Sequence, residues 1–282
     1  MRKRPVLPVA AATTALLGLA AALVGGAVVF GGLYDVGATT QHFQPVYTVV
    51  ERAMRQSVKL RARDIEEPPL ADEQMQLRGA ACFRDKCVQC HGAPGVAQHD
   101  IGQGMQPIPG PLVDARRHWK PRELYWVTRH GIRLSGMPAW QFHLSDEEIW
   151  SLVAFMQRLP DLNAPQFADW MRRAPPAPAC GREDAPLLVA VDVERGRTAL
   201  HQHACVACHT VPGVVGSQVH VGPPLDGIAS RELIAGRLAN TQENMVRWLL
   251  ETQAVKPGTA MPQLPVGERD ARDIAAYLAT LK

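Results

Sequence analysis

The chain has 282 residues, of which 46% are hydrophobic and 20% charged, with a formal net charge of +3. That length allows about two domains beyond any anchor. Its 30 basic and 27 acidic residues are interspersed with no basic block, which excludes the nucleic-acid-binding classes.

Arg2, Lys3 and Arg4 precede an uncharged run of 30 residues from Pro5 to Tyr34, rich in Ala, Val, Leu and Gly. A cleavable signal has an apolar core of only about 7–15 residues, and about 20 span a bilayer as helix. Residues 1–40 therefore read as an N-terminal signal-anchor in contact with membrane lipid, with cleavage between Ala20 and Ala27 as the alternative. The basic cluster ahead of the span predicts a cytoplasmic N-terminus and an exported remainder, starting at Asp35.

Over residues 41–70, Val46, Val50, Met54 and Val58 recur every four positions while Glu51, Arg52, Arg55 and Lys59 take others, which predicts a juxtamembrane helix. Pro68-Pro69 ends it. It is either a solvated spacer or a surface that lies on lipid or docks on another membrane subunit.

Residues 71–160 form the first predicted domain. A short helix with Gly79 and Phe83 four residues apart leads into Cys87-Val88-Gln89-Cys90-His91, followed by a Gly/Pro-rich loop from Gly92 to Pro111. Pro121 opens the next helix, and Ser145-x-x-Glu148 caps a last one that Pro160 stops. Residues 161–191 read as a linker that Pro165, Pro175, Pro176, Pro178 and Pro186 stiffen rather than fold. The pattern then repeats over 192–282. Gly196 and Leu200 precede Cys205-Val206-Ala207-Cys208-His209, a helix begins near Thr241, and a last helix holds Ile274, Ala275, Tyr277 and Leu278.

C-x-x-C-H is the spacing by which haem c is attached covalently: two thiols reach the two vinyl groups, and the adjoining imidazole meets the iron. Cys87, Cys90, Cys205 and Cys208 are the candidate thioether residues, and His91 and His209 the candidate proximal ligands of two haem c groups. Zinc or redox-thiol chemistry are the alternatives. The two motif histidines are 118 residues apart, too far in sequence to suggest one tetrahedral site, and the chain has few strand-like runs to build a thioredoxin-like unit.

Two methionines occupy the same relative place in the two copies. Met137, in Gly136-Met137-Pro138, lies 46 residues after His91, and Met261, in Ala260-Met261-Pro262, lies 52 after His209. Thioether sulfur suits haem iron, and the neighbouring proline ring fixes the backbone that presents it. Met137 and Met261 are thus the candidate sixth ligands, with Met105 the rival for the first haem.

With these motifs the chain resembles the class I cytochrome c family. It looks like two such domains fused in tandem behind one transmembrane helix, a mostly α fold, over roughly residues 71–160 and 190–282. The matching features are the two haem motifs, Gly79/Phe83 and Gly196/Leu200, the Pro-Leu steps Pro111-Leu112 and Pro224-Leu225, the Met-Pro loops, and the aromatics Phe155 and Tyr277 on the final helices. The resemblance implies that first and last helices cross at the Gly and aromatic positions. It also implies a proline carbonyl that accepts a hydrogen bond from each ligand histidine, with Pro111 and Pro223 as candidates. Leu200 departs from the aromatic usual at its position.

Two cysteines of the six lie outside the motifs, Cys82 and Cys180, and an even pair in an exported chain suggests a disulfide. His201 and His203 offer a spacing that attracts copper, against the plainer reading of exposed helix residues. The resemblance to anchored di-haem cytochromes implies a bacterial cytoplasmic-membrane protein with periplasmic haem domains. It would be no enzyme, and would pass single electrons from a quinol-oxidising complex to a terminal oxidase. The alternatives are a fixed cytochrome subunit of a larger oxidoreductase, such as a haem-copper oxidase or a dehydrogenase, and a di-haem peroxidase, which needs Met137 or Met261 not to ligate.

Overall fold

Helices dominate the fold, seen in a computed structural model that describes residues 6–177, 180–181, 190–216, 219 and 221–282. Arg2, Lys3, Arg4, Pro178 and Pro186 lie outside the described residues. The chain divides into two compact units, the first taking in 1–141 and 146–180, the second built on 181–282.

Helix α1 spans Val6–Phe30, and its stretch Pro8–Phe30 has a mean hydropathy of 2.1 with none of it buried. By length and composition it can cross a bilayer. Helix α2, Gln44–Ala62, realises the four-residue repeat only in part: Val58 and Ala62 are buried, whereas Val46 and Val50 are exposed.

Helix α3, Glu73–Lys86, starts where the Asp72 carboxylate accepts from Met75 N at 2.6 Å. It leads into α4, Val88–His91, which carries all of the first motif except Cys87. Short helices α5, Asp100–Gln103, and α6, Ala115–His118, precede α7, Pro121–His130, and α8, Asp146–Arg158. Where α3 crosses α8, a Cβ on Gly79 would fall 1.9 Å from the Ser151 carbonyl oxygen, so no side chain fits there. One turn on, Phe83 meets Phe155 edge to face with ring centroids 5.4 Å apart.

Residues 161–191, expected to be a stiff linker, are in their first half part of this unit. Helix α9 runs Ala164–Arg173, started by a capping box in which Asn163 accepts from Gln166 N and the Gln166 side chain accepts from Asn163 N. Pro165 occupies the first turn, where a missing N–H costs nothing, and Pro175-Pro176 follow the end. The prolines punctuate a helix. Phe167 and Trp170, three apart on one face, bury against Phe155 at centroid distances of 6.4 and 5.9 Å. Beyond α9, Cys180 is joined to Cys82 of α3 as a disulfide, their Cα atoms 5.2 Å apart.

The second unit repeats the crossing. Helix α10, Val193–Gln202, meets the last helix at Gly196, whose Cβ would lie 1.9 Å from the Asp273 carbonyl oxygen. Between them lie a two-residue antiparallel pair, β1 Leu233–Ile234 and β2 Leu238–Ala239, then α11, Gln242–Leu250, capped by Thr241, and α12, Thr252–Val255. Helix α13, Glu268–Leu278, closes the unit. Leu200 stands where the first unit has Phe83 and is 1% exposed, in a core with Trp248, Ile274 and Tyr277. The Asp273 carboxylate, buried at 1% exposure, accepts from Asp192 N at 2.7 Å and from Arg195 Nε at 2.7 Å, tying the start of α10 to α13.

Candidate haem sites

Each motif sits just beyond the leading helix of its unit and is held by one turn of backbone. Cys90 N and His91 N return to the Cys87 carbonyl at 3.1 and 2.9 Å, and Cys208 N and His209 N to the Cys205 carbonyl at 3.2 and 2.9 Å. One turn therefore carries both thiols and the imidazole.

In both units a backbone carbonyl fixes the ring. His91 Nδ1 donates to Gly110 O at 2.7 Å, and His209 Nδ1 donates to Pro223 O at 2.7 Å. With Nδ1 carrying the proton, Nε2 keeps its lone pair for a metal. Burial holds the His91 imidazole below its ordinary range, outweighing the carbonyl, and so favours the neutral ring that ligates. The acceptor for His91 belongs to Gly110, which corrects the assignment to Pro111. The Pro-Leu steps pair Pro111 with Pro224, so the counterpart of Pro223 is the residue before Pro111.

The thiols argue against disulfide exchange. Burial, with Cys90 second, pushes Cys87 up to about 12, and burial pushes Cys205 up to about 11. A redox-active C-x-x-C lowers its thiol instead. Zinc finds no better support: among the described residues the one cluster of three donors within 4.8 Å of one another is Cys82, Glu148 and Cys180, and both its sulfurs are in the disulfide.

Both motifs are closely lined. A Cβ on Gly102 would fall 2.8 Å from the Cys90 carbonyl oxygen, and one on Gly222 would fall 2.4 Å from His209 Cε1. Beside His209 lies a cavity of about 320 Å³ lined by Val206, Val211, Pro212 and Val214 together with the polar Thr210 and Asp226. A cavity beside one motif, a pair of thiols three positions apart in each and an oriented imidazole fit a covalently held haem c.

The methionine loops are fixed by their backbones. Met137 N donates to Ser135 Oγ at 3.1 Å while its carbonyl accepts from Ile132 N at 3.1 Å. The Met261 carbonyl accepts from Gln253 Nε2 at 2.7 Å, and its side chain packs partly buried on the second core. Met105 lies beside the first of these loops, its sulfur 2.6 Å from where a Gly136 Cβ would stand.

Residues 74–156 match the family model for cytochrome c oxidase, cbb3-type, subunit III, and residues 193–282 match the model for cytochrome c. The chain belongs to the cytochrome c family. Its two cytochrome c domains imply haem c binding and electron transfer. Eighty-nine residues are 36% identical to cytochrome c oxidase subunit 2 of Alkalihalophilus pseudofirmus, covering 31% of this chain and 25% of that one. A stretch of 122 residues is 29% identical to cytochrome c oxidase subunit 2 of Bacillus sp. strain PS3, covering 42% and 32%. The chain thus spans about a quarter to a third of the length of these relatives. A chain of the reducing HAO-like protein complex of Kuenenia stuttgartiensis aligns over 77% of this chain and 99% of its own, with 14% identity and a TM-score of 0.25.

Two features of these cytochrome c domains escape a reading by motif. Tyr277 Oη donates to Pro212 O at 2.7 Å and so holds the segment after the second motif, a bond that Phe155 in the first unit lacks the hydroxyl to make. His203, expected to be exposed, has its side chain 8% exposed and bonded to Asp270 at 3.0 Å. His201 is exposed, so the two rings have different surroundings.

Proposed function

We propose that this cytochrome is an anchored di-haem electron carrier, with one haem c on Cys87 and Cys90 and a second on Cys205 and Cys208. His91 with Met137, and His209 with Met261, would ligate the two irons. What supports the reading most is the repeated histidine-to-carbonyl bond, since it orients Nε2 in both units alike. When bound, haem iron supplies one-electron chemistry between its ferric and ferrous states. The chain's own residues do the rest. Cys87, Cys90, Cys205 and Cys208 would hold the group through thioethers, the carbonyls of Gly110 and Pro223 fix the histidine tautomer, and the sulfurs of Met137 and Met261 would raise the potential and leave outside ligands no access to the iron. Helix α1 anchors the protein in the bacterial cytoplasmic membrane with its N-terminus inside and its haem domains in the periplasm, between a quinol-oxidising donor and a terminal oxidase.

The test is the visible spectrum of the oxidised protein together with a haem count per chain. Two haems are expected, with a weak sulfur-to-iron band near the red edge of which Met137→Ala and Met261→Ala each remove part. A high-spin haem in the wild type overturns the carrier reading in favour of a peroxidase.

A fixed subunit of a larger oxidoreductase, a haem-copper oxidase or a dehydrogenase, is favoured by the oxidase-subunit likenesses. Purification in mild detergent separates the two readings: a subunit brings stoichiometric partners, and a shuttle comes alone.

A further inference from the structure

Helix α2 changes character along its length. Its C-terminal half is fixed to the first haem domain: Val58 and Ala62 are buried, and the Arg55 guanidinium lies 5.2 Å from the centre of the Trp119 ring. Just past the helix, Arg122 donates to Glu67 at 2.8 Å and to the Arg63 carbonyl at 3.1 Å. Its first two turns, Gln44–Val50, carry no charge. Around them Phe43, Val46, Tyr47, Val49 and Val50 are 79%, 43%, 45%, 67% and 61% exposed.

Leaving such side chains in water has a cost that something must offset. Two observations say what covers them. Helix α1 ends at Phe30, so only residues 31–43 separate the two helices, a chain that reaches at most about 45 Å. The start of α2 is therefore tethered within that distance of the end of α1, which lets it reach the surface of whatever α1 occupies. The exposed apolar positions also spread over about half of the helix circumference, wider than the stripe that a single neighbouring helix covers. The order along the chain fits an interfacial layer: the aromatics Phe43 and Tyr47 come first, and the charged positions of the helix, Glu51, Arg52, Arg55, Lys59 and Arg61, follow.

We propose that the first two turns of α2 are immersed in the interfacial layer of the bilayer that α1 spans, so that α2 is a strut fixing the height of the first haem domain above the lipid. The partner is the lipid surface, and the proposal rests on the anchor reading of α1.

Nitroxide labels on the full-length holoprotein in phosphatidylcholine nanodiscs test both steps separately. Single cysteines replace Leu17, Val46, Val50 or Gln56, exposed positions whose change does not disturb a core. Expected is access of oxygen but loss of access of a water-soluble nickel complex at 17, 46 and 50, with the nickel complex reaching 56. If 17 is in lipid while 46 and 50 are open to nickel, the strut is overturned and the anchor stands. If 46 and 50 are shielded from both probes, a protein surface covers them and the lipid assignment is overturned. Nickel access at 17 overturns the anchor, and the strut with it.

Discussion

A Cβ placed on Gly79 would lie 1.9 Å from the carbonyl oxygen of Ser151, so α3 and α8 touch backbone to backbone. Gly196 stands in the same relation to Asp273, at the same 1.9 Å. Neither contact has a flexible side chain that could yield, so a methyl group must push the helices apart. Overpacking commonly costs about 1–3 kcal/mol, and a backbone neighbour puts both positions at the top of that range. Gly79→Ala is expected to destabilise the first unit and Gly196→Ala the second, read as a lowered denaturant midpoint in far-UV dichroism. A wild-type midpoint for either variant would mean that the crossing is looser than it looks.

The segment after α8 contributes to the first unit through two aromatics and a covalent bond. Trp170→Ala removes a buried ring from the cluster with Phe155, and such truncations cost about 3–5 kcal/mol. Cys180→Ser opens a bridge across 98 residues of sequence, and losing a bridge of that kind typically costs about 2–4 kcal/mol. Thermal unfolding of both variants under non-reducing conditions checks this, with Gly196→Ala as the control that acts on the other unit. If Trp170→Ala melts like the wild type, residues 164–173 behave as the linker their prolines suggest.

Much of the architecture can be read from spacing because the chemistry is local. The haem motifs, the Gly79 and Gly196 helices and the Met-Pro loops each carry their signal within a few residues. What spacing misses depends on contacts distant in sequence. Helix α9 hides behind its prolines, although the Asn163/Gln166 cap and the Phe167/Trp170 pair were signals for it. The Gly110 acceptor was masked by the expectation that a proline must supply the carbonyl, yet any residue has one, and aligning Pro111 with Pro224 points to it. The burial of His203 depends on Asp270, 67 positions away, and no local pattern reports that.

Gly136 and Met105 allow a direct choice between the two candidate sulfurs of the first haem. Met105 Sδ lies 2.6 Å from where a Gly136 Cβ would be, but it is the far end of a flexible side chain and can move aside. Gly136→Ala should therefore leave the first unit folded while displacing Met105. With Met137 as the ligand, both Gly136→Ala and Met105→Leu keep the sulfur-to-iron band, and Met137→Leu loses the part due to the first haem. Loss of that part in Met105→Leu, with Met137→Leu unaffected, would transfer the ligand role to Met105.

Acid should weaken both units through one carboxylate in each. Hydrogen bonds from the Arg116 guanidinium are the main cause that holds Asp161 below its ordinary 3.8, and the backbone N–H of Arg195 does the same for Asp192. A carboxyl depressed in the folded state contributes stability that is fully present above its unfolded value and disappears as pH falls through the folded one. Stability should thus be flat above about pH 5 and decline towards about pH 3. Both groups are exposed, so each slope is shallow and weakens with salt. Asp192→Asn separates charge from capping, because an amide oxygen still accepts from Arg195 N at the start of α10. Denaturant midpoints measured down this pH range should fall less steeply for Asp192→Asn and Asp161→Asn than for the wild type. Unchanged slopes in both variants would assign the acid response to other carboxylates.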